Sequence, residues 1–311
     1  MTHPAGPIAS RPVAGVLWML VTGLFFVAVT AVVKHGAADL PAAEAAFLRY
    51  ALGLVFLIPM IRPMLAARIT PVHLRLAALR GMAHTLGVIL WFYAMTRITV
   101  AEVTAMNYLS PVYITLGAAL FLGERLQRRR IAAVMVAFLG AVLILRPGLR
   151  EVTDGHLAML ATAILFAVSY LSAKRLSDDL SPAVVVGLLS LSVTLGLVPF
   201  AATVWRTPTP AELGWMFLVA VFATAGHYTM TLAFRAAPVA VTQPATFLQL
   251  VWATLLGWLV FGEGIDIWVV LGGMVILASV SFIAIREAML KGRARVAPPV
   301  AGPPDDQPSA Q

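Results

Sequence analysis

Ten apolar runs follow one another along the chain, separated by short polar segments. A helix that crosses a bilayer needs about 20 mostly apolar residues, so each run predicts one membrane-spanning helix. Because the loops between the runs have only a few residues, we expect no soluble domain and no cofactor-binding fold, and hence no cofactor. The runs cover about 13–33, 42–61, 73–95, 100–122, 130–146, 156–173, 183–204, 212–234, 239–261 and 267–285.

The composition of the chain also favours a membrane protein. Of its 311 residues, 60% are hydrophobic and only 12% are charged, whereas a soluble domain carries roughly 25% charged residues. These proportions exclude a soluble enzyme and a disordered protein, and the lack of cysteine excludes a disulfide-built secreted module. They also argue against a nucleic-acid partner, since so few charges do not build a continuous basic face. We therefore predict an all-α polytopic membrane protein whose surroundings are the lipid bilayer.

An internal repeat divides the chain into two units of five runs each. Gly123-Glu124 ends the fourth run, and Gly262-Glu263 ends the ninth run 139 residues later. At the same shift, Val100-Ala101 corresponds to Val239-Ala240. Because five is an odd number, the second unit must cross the membrane in the direction opposite to the first. The predicted segments are a cytoplasmic tail (1–12), the first repeat (14–147), the inverted second repeat (154–286) and a proline-rich, disordered cytoplasmic tail (288–311).

The basic residues predict how the chain is oriented. With the N-terminus inside, 16 of the 22 Lys and Arg residues fall in inner segments and 5 in outer segments, while Arg49 lies within a run. Cytoplasmic segments of membrane proteins are enriched in Lys and Arg, so we expect both termini in the cytoplasm. The net charge of +8 is therefore a signal of sidedness rather than a basic binding surface.

Four sequence motifs, taken in order, resemble the drug/metabolite transporter superfamily and specifically its EamA-type ten-span members. They are Phe47-Leu48-Arg49-Tyr50, Tyr108-Leu109-Ser110-Pro111-Val112, Leu120-Phe121-Leu122-Gly123-Glu124-Arg125-Leu126 and Gly140-Ala141-Val142-Leu143-Ile144. The resemblance implies a secondary carrier in the bacterial inner membrane, with a central cavity between the halves that opens alternately to each side. Within the family the sequence looks nearest to carriers of riboflavin, S-adenosylmethionine or amino-acid derivatives. The sequence does not decide whether the protein acts as a single chain or as a homodimer.

Polar side chains occur at mid-depth in the fourth run and in its counterpart, the ninth run. Inverted repeats place a substrate near the membrane midplane, so these residues are candidates for substrate binding. The alternative is that they form hydrogen bonds between helices. Pro111 removes a backbone donor and predicts a kink in the fourth run. The candidates are Asn107, Ser110, Thr246, Gln249 and, for stacking on a planar ligand, Trp252.

Arg49 lies about seven residues inside the second run, and two interpretations of it stay open. In a cavity, its guanidinium group would bind an anionic group of the substrate through two parallel hydrogen bonds. Alternatively, its long side chain extends to the membrane surface and pairs with Glu44 or a lipid headgroup. The resemblance favours the cavity, because an arginine at this position is typical of the family.

His84 and His227 fall within the third and eighth runs. A histidine inside a membrane bundle can relay a proton because its pKa lies near neutrality. The more common role is a packing residue whose ring nitrogens are hydrogen-bonded. The acidic residues all lie at the ends of runs, so the sequence predicts no deeply buried carboxylate as a proton carrier.

Motifs of other functional classes do not occur in the sequence. A nucleotide-driven pump would carry G-x-x-x-x-G-K-[ST], and a membrane-embedded hydrolase would carry H-E-x-x-H or G-x-S-x-G. We therefore predict no enzyme and no metal site. The predicted function is alternating-access transport of a small organic metabolite: a vitamin, a nucleoside or amino-acid derivative, or a drug-like solute. A channel-like facilitator is the first alternative, and a membrane-embedded enzyme is a more distant one.

Overall fold

The fold is helical throughout the residues that the structure describes. The structure is a computed structural model, and it describes residues 12–122, 128–149, 151–236, 242, 245 and 247–296. The helices are α1 (Pro12–Gly36), α2 (Ala42–Gly53), a 3₁₀ segment (Leu54–Met60), α3 (Ile61–Ala66), α4 (Pro71–Met95), α5 (Val100–Asn107), α6 (Ser110–Leu122), α7 (Arg128–Leu145), α8 (Asp154–Asp179), α9 (Pro182–Thr203), α10 (Pro210–Ala236), α11 (Phe247–Phe261) and α12 (Ile267–Val296).

Within the described residues, each of the ten apolar runs falls on one helix or on a broken helix. Seven helical segments in the described ranges are long and apolar enough to cross a membrane. The fourth run is divided into α5 and α6. The helix of the fifth run, α7, begins two residues before the predicted start, at Arg128, and the helix of the ninth run is described only from Phe247. The prediction of an all-α polytopic membrane protein is therefore confirmed. We use "first repeat" for α1–α7 and "second repeat" for α8–α12.

The fourth run breaks at the position that Pro111 predicts. Helix α5 ends at Asn107 and α6 begins at Ser110. At the break, the carbonyl oxygen of Leu109 accepts hydrogen bonds from the backbone N–H groups of Val112 and Tyr113, at 3.0 and 3.1 Å. The proline has no N–H to continue the helical ladder, so the chain turns and presents polar backbone and side-chain groups at mid-depth.

The two repeats pack against each other through symmetry-related helix pairs. The most extensive contacts are those of α1 with α10, of α4 with α8 and of α7 with α12. The internal repeat converts α1 into α8 and α4 into α10, so the first two pairs are equivalent. The third pair approaches closely, because a Cβ atom on Gly140 would lie 2.7 Å from the carbonyl oxygen of Gly272. Small residues allow such close packing of membrane helices.

The last helix extends into the segment that is predicted as a disordered tail. Helix α12 continues to Val296, so residues 288–296 of the predicted tail (288–311) are helical, which corrects that part of the prediction. The physical reason is that Glu287-Ala288-Met289-Leu290-Lys291 consists of good helix formers, and no proline interrupts them before Pro298. Residues 1–11 and 297–311 lie outside the described ranges.

Candidate functional site

A cavity of about 310 Å³ lies in the middle of the bundle, where the two repeats meet. This volume is within the range of sites for small organic ligands, roughly 300–1,000 Å³. Helices α1, α2, α4, α5 and α6 of the first repeat contribute to its wall, as do α8, α10 and α11 of the second. The break between α5 and α6 lies directly on the cavity, since Asn107, Tyr108, Ser110 and Pro111 all line it.

The cavity brings together most of the residues that the sequence singles out. Arg49, Asn107 and Ser110 line it, and so do Gln249, His84 and His227. Thr246 lies outside the described residues.

Trp252 does not line the cavity. It packs instead against the cluster of Val27, Val100 and Ala253. Its ring lies 3.5 Å from the position that a Cβ atom on Gly23 would take. The lack of a side chain on Gly23 therefore makes room for the indole against α1, away from the cavity.

Arg49 presents a positive charge to the cavity without a carboxylate partner among the described residues. Its guanidinium carbon lies 4.0 Å from the ring centroid of Tyr50, a cation–π contact that holds the side chain in place. The proposed pairing with Glu44 is not formed. Glu44 is fully buried and accepts a hydrogen bond from the backbone N–H of Arg206 at 3.1 Å.

His84 connects the two repeats inside the cavity wall. Its Nε2 lies 2.8 Å from the hydroxyl of Tyr50 in the first repeat, and its Nδ1 lies 3.2 Å from the hydroxyl of Ser169 in the second. The ring also stacks on Phe166 at 4.8 Å. Both ring nitrogens therefore have partners, as expected of a packing histidine. The same two hydroxyls, of Tyr50 and Ser169, are also what a proton relay through His84 would need.

Aromatic side chains form much of the remaining wall, and the sequence analysis did not identify them as a group. The ring of His227 meets that of Phe26 edge-on at 5.2 Å. The aromatic residues lining the cavity are Phe26, Tyr50, Trp91, Tyr108, Phe166 and Tyr170. They come from four different helices and from the break between α5 and α6, and they share no single motif in the sequence.

Two side-chain amides and a hydroxyl complete the wall. Within the described part of the chain, no hydrogen bond engages the amides of Asn107 and Gln249. Among the same residues the buried hydroxyl of Ser110 has no partner. One cation, two free amides and several aromatic faces can bind a planar molecule that carries hydrogen-bond acceptors.

Polar contacts between the repeats close both ends of the bundle. We call the end where α1 stops the Lys34 end; there, Lys34 pairs with Glu263, Arg146 with Asp266, and Glu102 with His156. At the opposite end, the His73 end, His73 lies 3.1 Å from Asp179.

The prediction that no carboxylate is deeply buried is wrong. Glu44 and Glu102 have only 0% and 3% of their surface exposed. Both lie at helix ends, as the sequence indicates, but the opposite repeat covers these ends. The spacing Thr99-x-x-Glu102, which matches a helix-capping box, was the available signal for a structural role of Glu102.

Comparisons with known proteins agree with this architecture. The model of a family described as the EamA-like transporter family matches residues 13–146 and again residues 153–285. A riboflavin transporter from Rhizobium johnstonii is 33% identical over 282 residues, which cover 89% of this chain and 93% of the relative. A riboflavin transporter from Vibrio cholerae is 29% identical, over 93% of this chain and 98% of the relative.

Two further similarities are more distant. The pseudopaline exporter CntI from Pseudomonas aeruginosa is 26% identical, and the match covers 86% of this chain and 94% of the relative. A crystal structure of a protein with 18% identity superposes with a TM-score of 0.59, over 90% of this chain and 99% of that chain. At this level of identity the superposition supports the fold alone.

Proposed function

Because the chain belongs to the EamA-like transporter family, we propose that it is a secondary carrier for a planar metabolite rich in hydrogen-bond acceptors, of the riboflavin type. The coarser activity, membrane transport of a small metabolite, follows from the family and from relatives named as transporters over almost their full length. Riboflavin as the substrate, alternating access as the mechanism and the bacterial inner membrane as the location are our proposal.

The observation that carries the substrate class is the charge of the cavity. Arg49 supplies a guanidinium group, and no Asp or Glu lines the cavity within the described residues. A half-buried cation without a carboxylate partner among the described residues favours a ligand that offers carbonyl oxygens or an anion. The aromatic wall favours a flat ring system, since stacked rings contribute beyond the area they bury. The isoalloxazine ring of riboflavin is flat and carries two carbonyl groups.

The arrangement of helices supports alternating access. The pairs α1–α10 and α4–α8 flank the cavity and are exchanged by the internal repeat, so the bundle has two equivalent ways to open. Rocking of one repeat against the other would separate the helices at one end while it closes the other. The excess of basic residues on the inner segments leads us to place the Lys34 end outside the cell.

A second candidate substrate is an amino-acid derivative that carries carboxylates. Arg49 favours it, because a guanidinium group binds a carboxylate through two parallel hydrogen bonds, and one relative is named as an exporter of pseudopaline. S-adenosylmethionine is less compatible with the cavity, because its single carboxylate is accompanied by an ammonium and a sulfonium cation, and no Asp or Glu of the described wall balances these charges.

A thermal-shift series on the purified protein tests the substrate class. A ligand that binds only the folded protein stabilises it by about 2.7 kcal/mol at a hundred times its Kd. We expect riboflavin to raise the Tm by several degrees and S-adenosylmethionine to leave it unchanged. Stabilisation by S-adenosylmethionine, with none by riboflavin, would contradict the proposed substrate class.

A further inference from the structure

One carboxylate of the second repeat holds two helices of the first repeat at the Lys34 end. Glu263 follows α11, and its Oε1 lies 2.6 Å from Nζ of Lys34, which belongs to α1. Its Oε2 accepts a hydrogen bond from the backbone N–H of Val100, the first residue of α5, at 3.0 Å. Lys34 in turn donates to the carbonyl oxygen of Ile98 at 2.8 Å. A connected polar set therefore crosses the interface between the repeats. It consists of the Glu263 carboxylate, the Lys34 ammonium group, the Val100 N–H and the Ile98 carbonyl oxygen.

Two carboxylates bind the N-terminus of α5, one from α5 itself and one from the second repeat. Glu102, from α5 itself, accepts a hydrogen bond from the N–H of Thr99 at 2.8 Å, and Glu263 accepts one from the next N–H. The start of a helix carries a partial positive charge and unpaired N–H groups, so it favours negative side chains. Glu102 also faces His156 of the second repeat at 3.2 Å. Arg97 and Asp266 line the same surface pocket as these groups, and Asp266 pairs with Arg146.

The local backbone explains how Glu263 reaches this position. Gly262 ends α11 with a φ of +64°, a conformation that favours glycine. The N–H of Glu263 then donates to the carbonyl oxygen of Gly257 at 3.0 Å. The side chain of Glu263 folds back over α11, where a Cβ atom on Gly257 would collide with its Oε2. Both glycines are therefore needed to aim this carboxylate at the first repeat.

This polar set lies one helical turn beyond the cavity on two of its helices. Thr30 lines the cavity on α1, and Lys34 follows it by four residues. Thr104 lines the cavity on α5, and Val100 precedes it by four residues. Between the two helices, Ile98 and Val100 are 5% and 1% exposed. The contacts of Glu263 therefore lie over the cavity and join the end of α11, in the second repeat, to α1 and α5 of the first.

We propose that Glu263 is a positioning residue for transport: it locks the cavity at the Lys34 end by holding Lys34 and the N-terminus of α5, and this lock breaks once in each transport cycle. The proposal rests on the alternating-access function proposed above. The lock has to open because α1 and α5 belong to the first repeat and the carboxylate belongs to the second. Weakening the lock shifts the protein towards the state that is open at the Lys34 end.

The chain contains no cysteine, so one engineered cysteine can report when the lock opens. Thr30→Cys places a thiol on the cavity side of the lock. A membrane-impermeant thiosulfonate reagent is applied to intact cells and to inside-out vesicles, and the rate of labelling is measured from each side. In the Thr30→Cys protein we expect slow labelling from the side of the Lys34 end. Adding Glu263→Gln should raise that rate about tenfold, the equilibrium factor for loss of one charge-assisted hydrogen bond.

Two further comparisons separate the lock from a general loss of structure. Gly257→Ala keeps every charge but displaces the carboxylate of Glu263, and it should also raise the labelling rate. Gly214→Ala, at a helical glycine with no atom within 4 Å of the added Cβ, should not. Asp266→Asn removes a different carboxylate at the same end. This carboxylate joins the end of α7 to the start of α12, two helices that do not line the cavity within the described residues. It should also leave the labelling rate unchanged.

Each result decides for or against the lock independently of transport. Faster labelling in both Glu263→Gln and Gly257→Ala, with unchanged rates in the two controls, supports it. An unchanged labelling rate in Glu263→Gln, or an equal increase in Asp266→Asn, would overturn it. Riboflavin uptake is measured in the same membranes. If the Thr30→Cys protein transports riboflavin but the lock variants are labelled at the same rate as that protein, the proposed lock is refuted and the carrier function stands.

Discussion

Arg49 is the only Lys, Arg, Asp or Glu in the described wall of the cavity. Replacing it by glutamine removes this charge from the site that a ligand would occupy. The guanidinium group is half-buried, stacked on Tyr50 at 4.0 Å and without a carboxylate partner among the described residues. No ion pair among the described residues is lost, so the cost should appear in ligand binding rather than in folding. A hydrogen bond to a charged group contributes about 1.5–3 kcal/mol, which corresponds to a riboflavin Kd weakened roughly 10- to 150-fold.

The assay is a titration of the purified protein that follows the quenching of riboflavin fluorescence. Arg49→Lys should give an intermediate Kd, because lysine keeps the charge but loses the planar fork and the stacking on Tyr50. Arg97→Gln is the matched control: Arg97 also stacks on a tyrosine, Tyr93, at 3.5 Å, but it is exposed and does not line the cavity. A Kd in Arg49→Gln equal to that of the unmodified protein, or a loss of the same size in Arg97→Gln, would refute the reasoning.

Two further substitutions test how the repeats are joined. Gly140→Ala places a Cβ atom 2.7 Å from the carbonyl oxygen of Gly272; overpacking of this kind costs about 1–3 kcal/mol, so the Tm in detergent should fall, while Gly214→Ala should leave it unchanged. Ser169→Ala removes the hydroxyl of the second repeat that lies 3.2 Å from Nδ1 of His84 in the first and should cost about 1 kcal/mol of stability, measured by thermal unfolding. A Tm unchanged in both Gly140→Ala and Ser169→Ala would show that neither contact stabilises the interface.

The sequence was sufficient to predict the elements of the fold. The ten apolar runs, the break at Pro111 and the five-plus-five repeat depend on hydropathy, on a missing N–H group and on recurring residues, all of which can be recognised locally. The extent of α12 was less predictable, because helix formers next to a proline-rich segment resemble the start of a disordered tail.

The direction in which each side chain points was harder to predict, for a physical reason. A helix that is apolar on every side gives no periodic signal of the face it turns inward. Sequence could therefore place Asn107 and Gln249 at mid-depth but could not show that Trp252 turns towards Gly23. Nor could it show that the opposite repeat covers Glu102, since burial at a helix end depends on packing between distant segments.

A counterflow experiment tests the central claim, that the cavity belongs to a carrier, most directly. Liposomes that contain the protein are loaded with unlabelled riboflavin and diluted into a trace of labelled riboflavin. A carrier that alternates between two sides exchanges internal for external substrate, so label should accumulate transiently above its external concentration, and Arg49→Gln should reduce this overshoot. Label that only equilibrates, at the same rate with or without internal riboflavin, would indicate a channel and contradict the account. A complete lack of uptake would contradict riboflavin transport itself.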